Sequence, residues 1–239
     1  MDESSNRNTM PTRINADLDA PARALSDELP WRPSPAPGVE RRMLERRGAE
    51  RARVTSLVRY APDSRFPSHT HGGGEEFLVL DGTFHDEHGS YPAGWYIRNP
   101  VGSGHTPHTT EGCTILVKLW WMHPDDQEYV RFDTAEAQRW REGPESGLRT
   151  CPLHATTREE NLLLELAPGA TLPERDVPGG EELFLLRGAA EDADGHHPQG
   201  TWLRRPGPSA PVLTTTDGCL LYCKRGHLRE PPPLPPEDA

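Results

Sequence analysis

Sliding the chain against itself by 106 residues superimposes it without a gap, and this self-match limits the fold more than any other feature. Ala61-Pro62 falls on Ala167-Pro168, Pro67 on Pro173, Gly73-Gly74-Glu75-Glu76 on Gly179-Gly180-Glu181-Glu182, and Gly82 on Gly188. Farther on, Asp86 meets Asp192, Arg98 meets Arg204, Pro100 meets Pro206, Gly112-Cys113 meets Gly218-Cys219, and Lys118 meets Lys224. Roughly a third of the pairs starting from Arg51 to Lys118 are identical, mostly at turn residues, so one structural unit is written twice.

Each unit reads as short strands. In the first, Val54 to Tyr60, Glu75 to Leu80, Gly94 to Arg98 and Cys113 to Trp121 are rich in β-branched, aromatic and aliphatic residues. Between them lie Asp81-Gly82, His88-Gly89, Pro92-Ala93-Gly94 and Pro100-Val101-Gly102, where glycine and proline set turns. With 22 glycines and 26 prolines, the chain has little room for long helices. The expected class is all-β: two tandem jelly-roll barrels from an internal duplication. Only Thr134 to Glu142 carries a helical pattern, with Asp133 as N-cap and Gly143-Pro144 as stop, which predicts a short connector helix between the units.

The first unit holds a constellation fit for a metal. His69 and His71 are two apart on an expected strand and so share a face, and a glycine bend then leads to Glu75 at the start of the next strand. His105 closes the run Gly94-Trp95-Tyr96-Ile97-Arg98-Asn99-Pro100-Val101-Gly102-Ser103-Gly104-His105 and supplies a fourth ligand. Three imidazoles and a carboxylate suit one divalent ion of the Zn, Fe or Mn kind, and suit Ca or Mg poorly. His85, His88 and His108 lack this context and are expected at the surface or beside the ligands. In the second unit Arg175, Val177 and Pro211 stand where the histidines should be, and only Glu181 is kept, so that unit is expected to be metal-free. An independent site built on Glu181, Glu182 and Arg204 is the competing expectation there.

Charge and composition exclude several classes. A formal net charge of −11 argues against nucleic-acid partners and against docking on an anionic membrane. No apolar run is long enough to span a bilayer, and Met1-Asp2-Glu3-Ser4-Ser5 lacks the basic and apolar regions of a secretory signal, so a soluble cytoplasmic protein is expected. Cys113, Cys151, Cys219 and Cys223 form no Cys-x-x-Cys pair and are expected as thiols. Hydrophobic residues make up 33% and mean hydropathy is −0.75, which leaves polar ends to spare. Residues 1–30 are read as a disordered segment with an arm near Thr12-Arg13-Ile14, residues 31–132 as the metal-binding barrel, 133–228 as the degenerate barrel, and 229–239 as a solvated polyproline tail. A monomer or a homodimer fits a chain that already contains two barrels.

These residues resemble the paired cupin motifs, and the wider pattern resembles the ChrR cupin-like family, named for the C-terminal domain of a zinc-containing anti-sigma factor. The resemblance runs from Trp31-Arg32-Pro33-Ser34-Pro35-Ala36-Pro37-Gly38-Val39-Glu40 through Gly74-Glu75-Glu76-Phe77-Leu78-Val79-Leu80-Asp81-Gly82 to Lys224-Arg225-Gly226-His227-Leu228. It implies that His69, His71, Glu75 and His105 hold the metal. Glu76 is the rival carboxylate, since some cupins use a spacer one residue longer, but the interval from Glu75 to Gly82 matches the family pattern. Three departures from the family pattern stand out: no stretch of this sequence is expected to form the N-terminal zinc-binding helical domain that grips a sigma factor, the second barrel is expected to lack ligands, and Thr109 stands where cupins often carry Asn.

Two functional expectations follow, with fold alone unable to decide between them. One is a metal-dependent sensor or accessory protein of oxidative-stress regulation, in which four protein ligands close the site and Cys113 is the nearest thiol to test. The other is a non-haem Fe(II) or Mn dioxygenase acting on a small hydroxy-ketone or dicarbonyl, with Arg59, Tyr96, Arg98 and Lys118 as candidates to orient that small-molecule ligand. Against that role, Arg98 would simply pair with a carboxylate and Tyr96 would pack. A metal-free sugar- or nucleotide-binding scaffold ranks below both.

Overall fold

The computed structural model describes residues 12–49 and 51–236. The first half carries β1 (Arg13–Ile14), β2 (Ala22–Leu25), β3 (Arg32–Pro33), β4 (Val39–Gly48), β5 (Ala52–Tyr60), β6 (His69–Thr70), β7 (Glu75–Asp86), β8 (Gly89–Pro92), β9 (Trp95–Asn99), β10 (Gly104–His105), β11 (Cys113–Leu119) and β12 (Val130–Asp133). The second carries β13 (Arg141–Glu142), β14 (Leu148–Ala155), β15 (Glu160–Leu166), β16 (Thr171–Leu172), β17 (Arg175–Asp176), β18 (Glu181–Asp192), β19 (Gly195–Pro198), β20 (Thr201–Arg205), β21 (Ser209–Ala210), β22 (Leu213–Thr214) and β23 (Cys219–Arg225). The main sheets run β1-β4-β5-β11-β7-β9-β12 and β13-β14-β15-β23-β18-β20-β2. At the 106-residue offset β4, β5, β11, β7 and β9 fall on β14, β15, β23, β18 and β20, and β2 falls on β12, so six of the seven places in each order correspond while the outermost strands β1 and β13 do not.

Each barrel takes one strand from the segment that leads into the other barrel. The segment before the first barrel, β2, pairs with β20 of the second, with Ala22 opposite Arg204. The segment before the second barrel, β12, pairs with β9 of the first, with Val130 opposite Arg98. Arg98 and Arg204 are repeat partners, so the exchange is reciprocal. This corrects part of the reading of residues 1–30 as a disordered segment with an arm near Thr12-Arg13-Ile14: besides the short strand β1 at the arm, Ala22 to Leu25 is a strand. The run lacks apolar periodicity because an edge strand can be stabilised largely by backbone hydrogen bonds. The expectation for residues 1–11 lies outside the described residues.

Strand alternation assigns the cores. Phe77, Val79, Phe84, Ile97, Ile115 and Val117 fill the first barrel, and Leu164, Leu183, Leu185, Leu213 and Leu221 fill the second. The intervening residues on the same strands, including Leu57, Leu78, Tyr96, Leu116, Leu163, Phe184, Trp202 and Tyr222, form a third core between the two sheets. A strand that is buried on both faces shows little polar alternation, which is why these runs read as continuous apolar stretches.

Two further expectations are corrected. Thr134 to Glu142 is no α-helix: it contains one 3-10 turn, Ala137–Arg139, followed by β13. Asp133 does accept a local bond, from the Ala135 amide at 2.8 Å, but this closes a turn and caps no helix. Asp81-Gly82 lies inside β7 instead of ending it. Between Thr114 and Ile115 the register slips so that Leu80 has no partner, and Leu186 is skipped in the same way in the second barrel. Gly82 has φ +68°, and a Cβ there would lie 2.0 Å from the Gly112 carbonyl oxygen, so the bulge needs glycine. The Pro-rich tail is extended without strand pairing up to Pro236, yet Pro232 and Pro235 are buried against the protein. Among the described residues no helix is long and apolar enough to cross a membrane.

Candidate metal centre

β6 and β10 form a two-stranded ribbon that places His69 directly opposite His105. His71 follows at the end of this ribbon, its amide bonded to the Ser103 carbonyl at 2.8 Å and its carbonyl bonded to the Gly102 amide at 2.9 Å. Gly72 to Gly74 then turn the chain into β7, so that Glu75 reaches the same point from the main sheet. One candidate ligand atom from each of His69, His71, Glu75 and His105 lies within 4.8 Å of all the others. Ring centroids are 4.9 Å apart for His69–His71, 5.1 Å for His69–His105 and 4.7 Å for His71–His105. The Glu75 carboxylate approaches His71 Nε2 at 3.5 Å and His105 Nε2 at 3.3 Å.

The residues beside these four fix their orientation. Asp86 Oδ2 lies 3.1 Å from His105 Nδ1, which leaves Nε2 facing the cluster. The Pro67 carbonyl lies 2.9 Å from His69 Nδ1 and does the same there. Asn99 donates to Glu75 at 3.2 Å and is itself held by Arg131 at 2.9 Å. Tyr91 donates to Asp86 at 3.2 Å while accepting from Arg131 at 3.2 Å. The sequence pattern alone does not single out Asp86, Asn99, Tyr91 and Arg131 for this role. Asp86 could have been, since it is one of the polar residues preserved in the repeat.

Electrostatics match the geometry. Burial pulls the His71 pKa below the usual imidazole range despite Glu75. For His105 burial acts the same way, but the Asp86 hydrogen bond and the Glu75 charge outweigh it and the net shift is upward. Burial would raise Glu75, yet His71, His105 and the Asn99 bond together hold it below its ordinary value. The Nε2 atoms of His71 and His105 are buried and bond to no protein group. A buried polar atom without a partner is costly. A cation shared with Glu75 and His69 would satisfy both, so the donor set fits a divalent ion of the Zn, Fe or Mn class.

The remaining candidates do not join this cluster. Arg59 is on the surface, paired with Glu40 at 2.6 Å and stacked over Trp31. Tyr96 and Arg98 do share a face of β9, but it is the face turned toward the other barrel. Arg98 is fully buried against Glu76 at 3.5 Å, Asp126 at 2.7 Å and Glu159 at 3.3 Å, and Tyr96 donates to Glu76 at 3.2 Å. Lys118 bonds to Thr55 at 2.7 Å and pairs with Glu182, while its repeat partner Lys224 pairs with Glu76 at 2.9 Å. Each lysine thus neutralises a glutamate of the opposite barrel. Glu76, the rival metal carboxylate, belongs to this network and points away from the histidines. The thiol of Cys113 is buried, which pushes its pKa up to about 12, so it lacks the thiolate a reactive cysteine needs.

In the second barrel an arginine occupies the ligand position. Arg175, the counterpart of His69, donates to both Glu181 oxygens at 2.9 and 2.7 Å. Arg205, the counterpart of Asn99, donates to the same carboxylate at 3.0 Å and also pairs with Asp192. The site of Glu181, Glu182 and Arg204 does not form: Glu182 faces Lys118 and His227, and Arg204 donates to the carbonyls of Asp17 and Ala20.

The sequence signature of the ChrR Cupin-like domain matches residues 20–123 and again 127–229. The chain belongs to the ChrR cupin-like family. Both matches of this ChrR-like double cupin start just before β2 and β12, in keeping with the reciprocal strand exchange. No curated protein matches the chain. Similar solved structures include a candidate dioxygenase from Nostoc punctiforme (18% identity, 86% of this chain and 82% of that one, TM-score 0.70). Others are YlbA from E. coli (17%, 93% and 95%, 0.66) and oxalate decarboxylase from Bacillus subtilis (12%, 86% and 77%, 0.58). At such identities the likeness shows the double-cupin fold alone.

Proposed function

We propose that this ChrR-like double cupin holds one divalent metal ion through His69, His71, Glu75 and His105, and serves as a metal-dependent sensor or accessory protein in oxidative-stress regulation. The observation that supports metal binding is the pair of buried, unpartnered imidazole nitrogens facing Glu75. The sensor role draws on the surroundings of the cluster. His69 packs against Phe66 and His105 against Phe84, with centroids 5.1 and 5.7 Å apart. The charged groups that would orient an anionic substrate, Arg98 and Lys118, lie on the opposite sheet face. Asp86 and Asn99, the polar groups that do reach the ligands, are spent on holding them.

A second reading is a non-haem Fe(II) or Mn dioxygenase for a small hydroxy-ketone or dicarbonyl. Its support is the donor set, since four protein ligands leave positions on a six-coordinate ion for substrate and oxygen. The name of the Nostoc relative agrees with it. Elemental analysis of protein purified without chelators is expected to give about one metal per chain; near-zero metal would remove both readings. Oxygen uptake by the Fe(II)-loaded protein with a panel of hydroxy-ketones then separates them. Turnover would establish the dioxygenase, and its absence, with oxidants still altering metal retention, would favour the sensor.

A further inference from the structure

A row of arginines outside the metal cluster crosses three adjacent strands. Arg13 on β1 lies opposite Arg47 on β4, and Arg47 lies opposite Arg53 on β5. Directly opposed residues on neighbouring strands project to the same side, with Cβ atoms about 5 Å apart, and like charges so placed repel. Arg51 at the hairpin and Arg229 near the tail add to them. Arg13, Arg47, Arg51 and Arg229 make no ion pair with any described residue. This concentration of positive charge sits in a chain whose net charge is −11.

The row opens on two adjoining cavities beneath the Pro-rich tail. One, of about 470 Å³, is lined by Arg13, Arg47 and Arg51 together with Leu234 and Pro235. The other, of about 460 Å³, is lined by Arg13, Arg47, Arg53 and Arg229, with Asp17 and Asp19 as the acidic groups. Arg53 is the decisive member. Its side chain is only 2% exposed, its closest carboxylate is Glu45 at 3.7 Å, and Trp121 covers it at 4.6 Å. Its Nε and Nη2 atoms have no hydrogen-bond acceptor. A buried guanidinium with unused donors calls for an acceptor, and guanidinium forks match oxyanions in two-point contacts.

We propose that this cleft binds a small, multiply charged oxyanion, such as a phosphorylated metabolite or a polycarboxylate. Guanidinium groups at Arg13, Arg47 and Arg51 would grip the anion, Arg53 would anchor it from below, and Leu234 and Pro235 would cover its apolar part. The proposal does not depend on the metal or its role.

Isothermal titration of the full chain with inorganic pyrophosphate and with citrate, at low ionic strength, tests it. One equivalent of either probe is expected to bind, with affinity falling as salt rises. Arg47→Glu should weaken binding at least tenfold and leave the elemental metal content unchanged. Arg13→Ala, on an exposed edge strand, should weaken it severalfold and carries the test if Arg47→Glu does not fold. Arg187→Ala, outside the cleft, should bind as the parent does. Tighter binding of pyrophosphate points to a phosphate ligand, and of citrate to a polycarboxylate. No binding of either probe, or equal binding by parent, Arg47→Glu and Arg13→Ala, would overturn the assignment.

Discussion

Glu75 and Glu76 are adjacent on β7 and serve opposite sides of the sheet. Glu75 reaches His71 and His105 at 3.5 and 3.3 Å inside the first barrel. Glu76 reaches Lys224 at 2.9 Å and Arg98 at 3.5 Å between the barrels. The two-residue period of a strand lets one dipeptide equip a metal centre and anchor the barrel interface.

Neutralising these two carboxylates should separate the two roles. Glu75→Gln is expected to lower metal content by at least tenfold while the metal-free protein keeps its melting temperature. Glu76→Gln should instead leave metal content near the parent level and cost roughly 3–5 kcal/mol, because Lys224 and Arg98 lose a buried counter-charge. Elemental analysis beside thermal unfolding of both variants reads this directly. Loss of metal in Glu76→Gln with metal kept in Glu75→Gln would reverse the assignment.

Metal should stabilise the native chain alone. With free metal at about 100 times its dissociation constant, the linkage gain is about 2.7 kcal/mol, or roughly 5–11 °C for a chain of this size. His71→Ala should lose that increment and become insensitive to chelators. Stoichiometry should be one per chain and not two, since Arg175 already fills the equivalent position against Glu181. A second equivalent that survives His71→Ala would show that the C-terminal barrel also binds metal.

A buried acid between the barrels predicts an unusual pH profile. Burial and the Glu182 charge raise Glu45 from 4.5 to about 7, against the pull of Lys118 and Arg53. The folded state therefore keeps its proton where the unfolded chain has lost it. That contribution is complete below about pH 4.5 and disappears as pH rises through 7. At 1.36 kcal/mol per pKa unit, the change amounts to about 3 kcal/mol. Glu76 acts in the reverse sense. It is held at about 2, chiefly by Lys224 and Arg98 against the cost of burial, so its contribution is present above about 4.5 and lost as pH falls toward 2. Metal-free protein should be most stable near pH 5, and Glu45→Gln should flatten the decline between pH 5 and 8. Parallel slopes for parent and variant in chelator would contradict the Glu45 role.

Much of this was legible in the sequence because repeat and ligand spacing are one-dimensional signals. The duplication, the all-β class and the convergence of His69, His71, Glu75 and His105 needed only offsets along the chain. The roles of Tyr96, Arg98 and Lys118 did not follow. Alternation places Tyr96 and Arg98 on one face but cannot say which face meets the second barrel. The exchange of β2 and β12 was hidden for a similar reason: edge strands are recruited by backbone bonding, which leaves little mark on side-chain pattern. Thr134 to Glu142 misled because turn-forming Asp133 and helix-capping Asp133 look alike in sequence. Arg175 was read as a lost ligand, whereas in three dimensions its guanidinium stands in for a cation.

The glycine loop between His71 and Glu75 offers the sharpest test of how the fold positions the ligands. Trp120, held at φ +62°, packs its indole against Gly72 and Gly73, and its amide bonds to the Gly74 carbonyl at 3.3 Å. A Cβ on Gly73 would sit 2.3 Å from the indole, so Gly73→Ala must displace either the ring or the loop. Because the loop joins two ligands, moving it should weaken metal binding at least tenfold while far-ultraviolet circular dichroism stays unchanged. Adding Trp120→Ala removes the clash and should restore most of that affinity, a non-additivity expected only of residues in direct contact. Metal titration followed by tryptophan emission in the parent, and by elemental analysis in the two variants, checks both halves. If the double variant binds no better than Gly73→Ala, steric support of the loop by Trp120 is not what sets the ligand geometry.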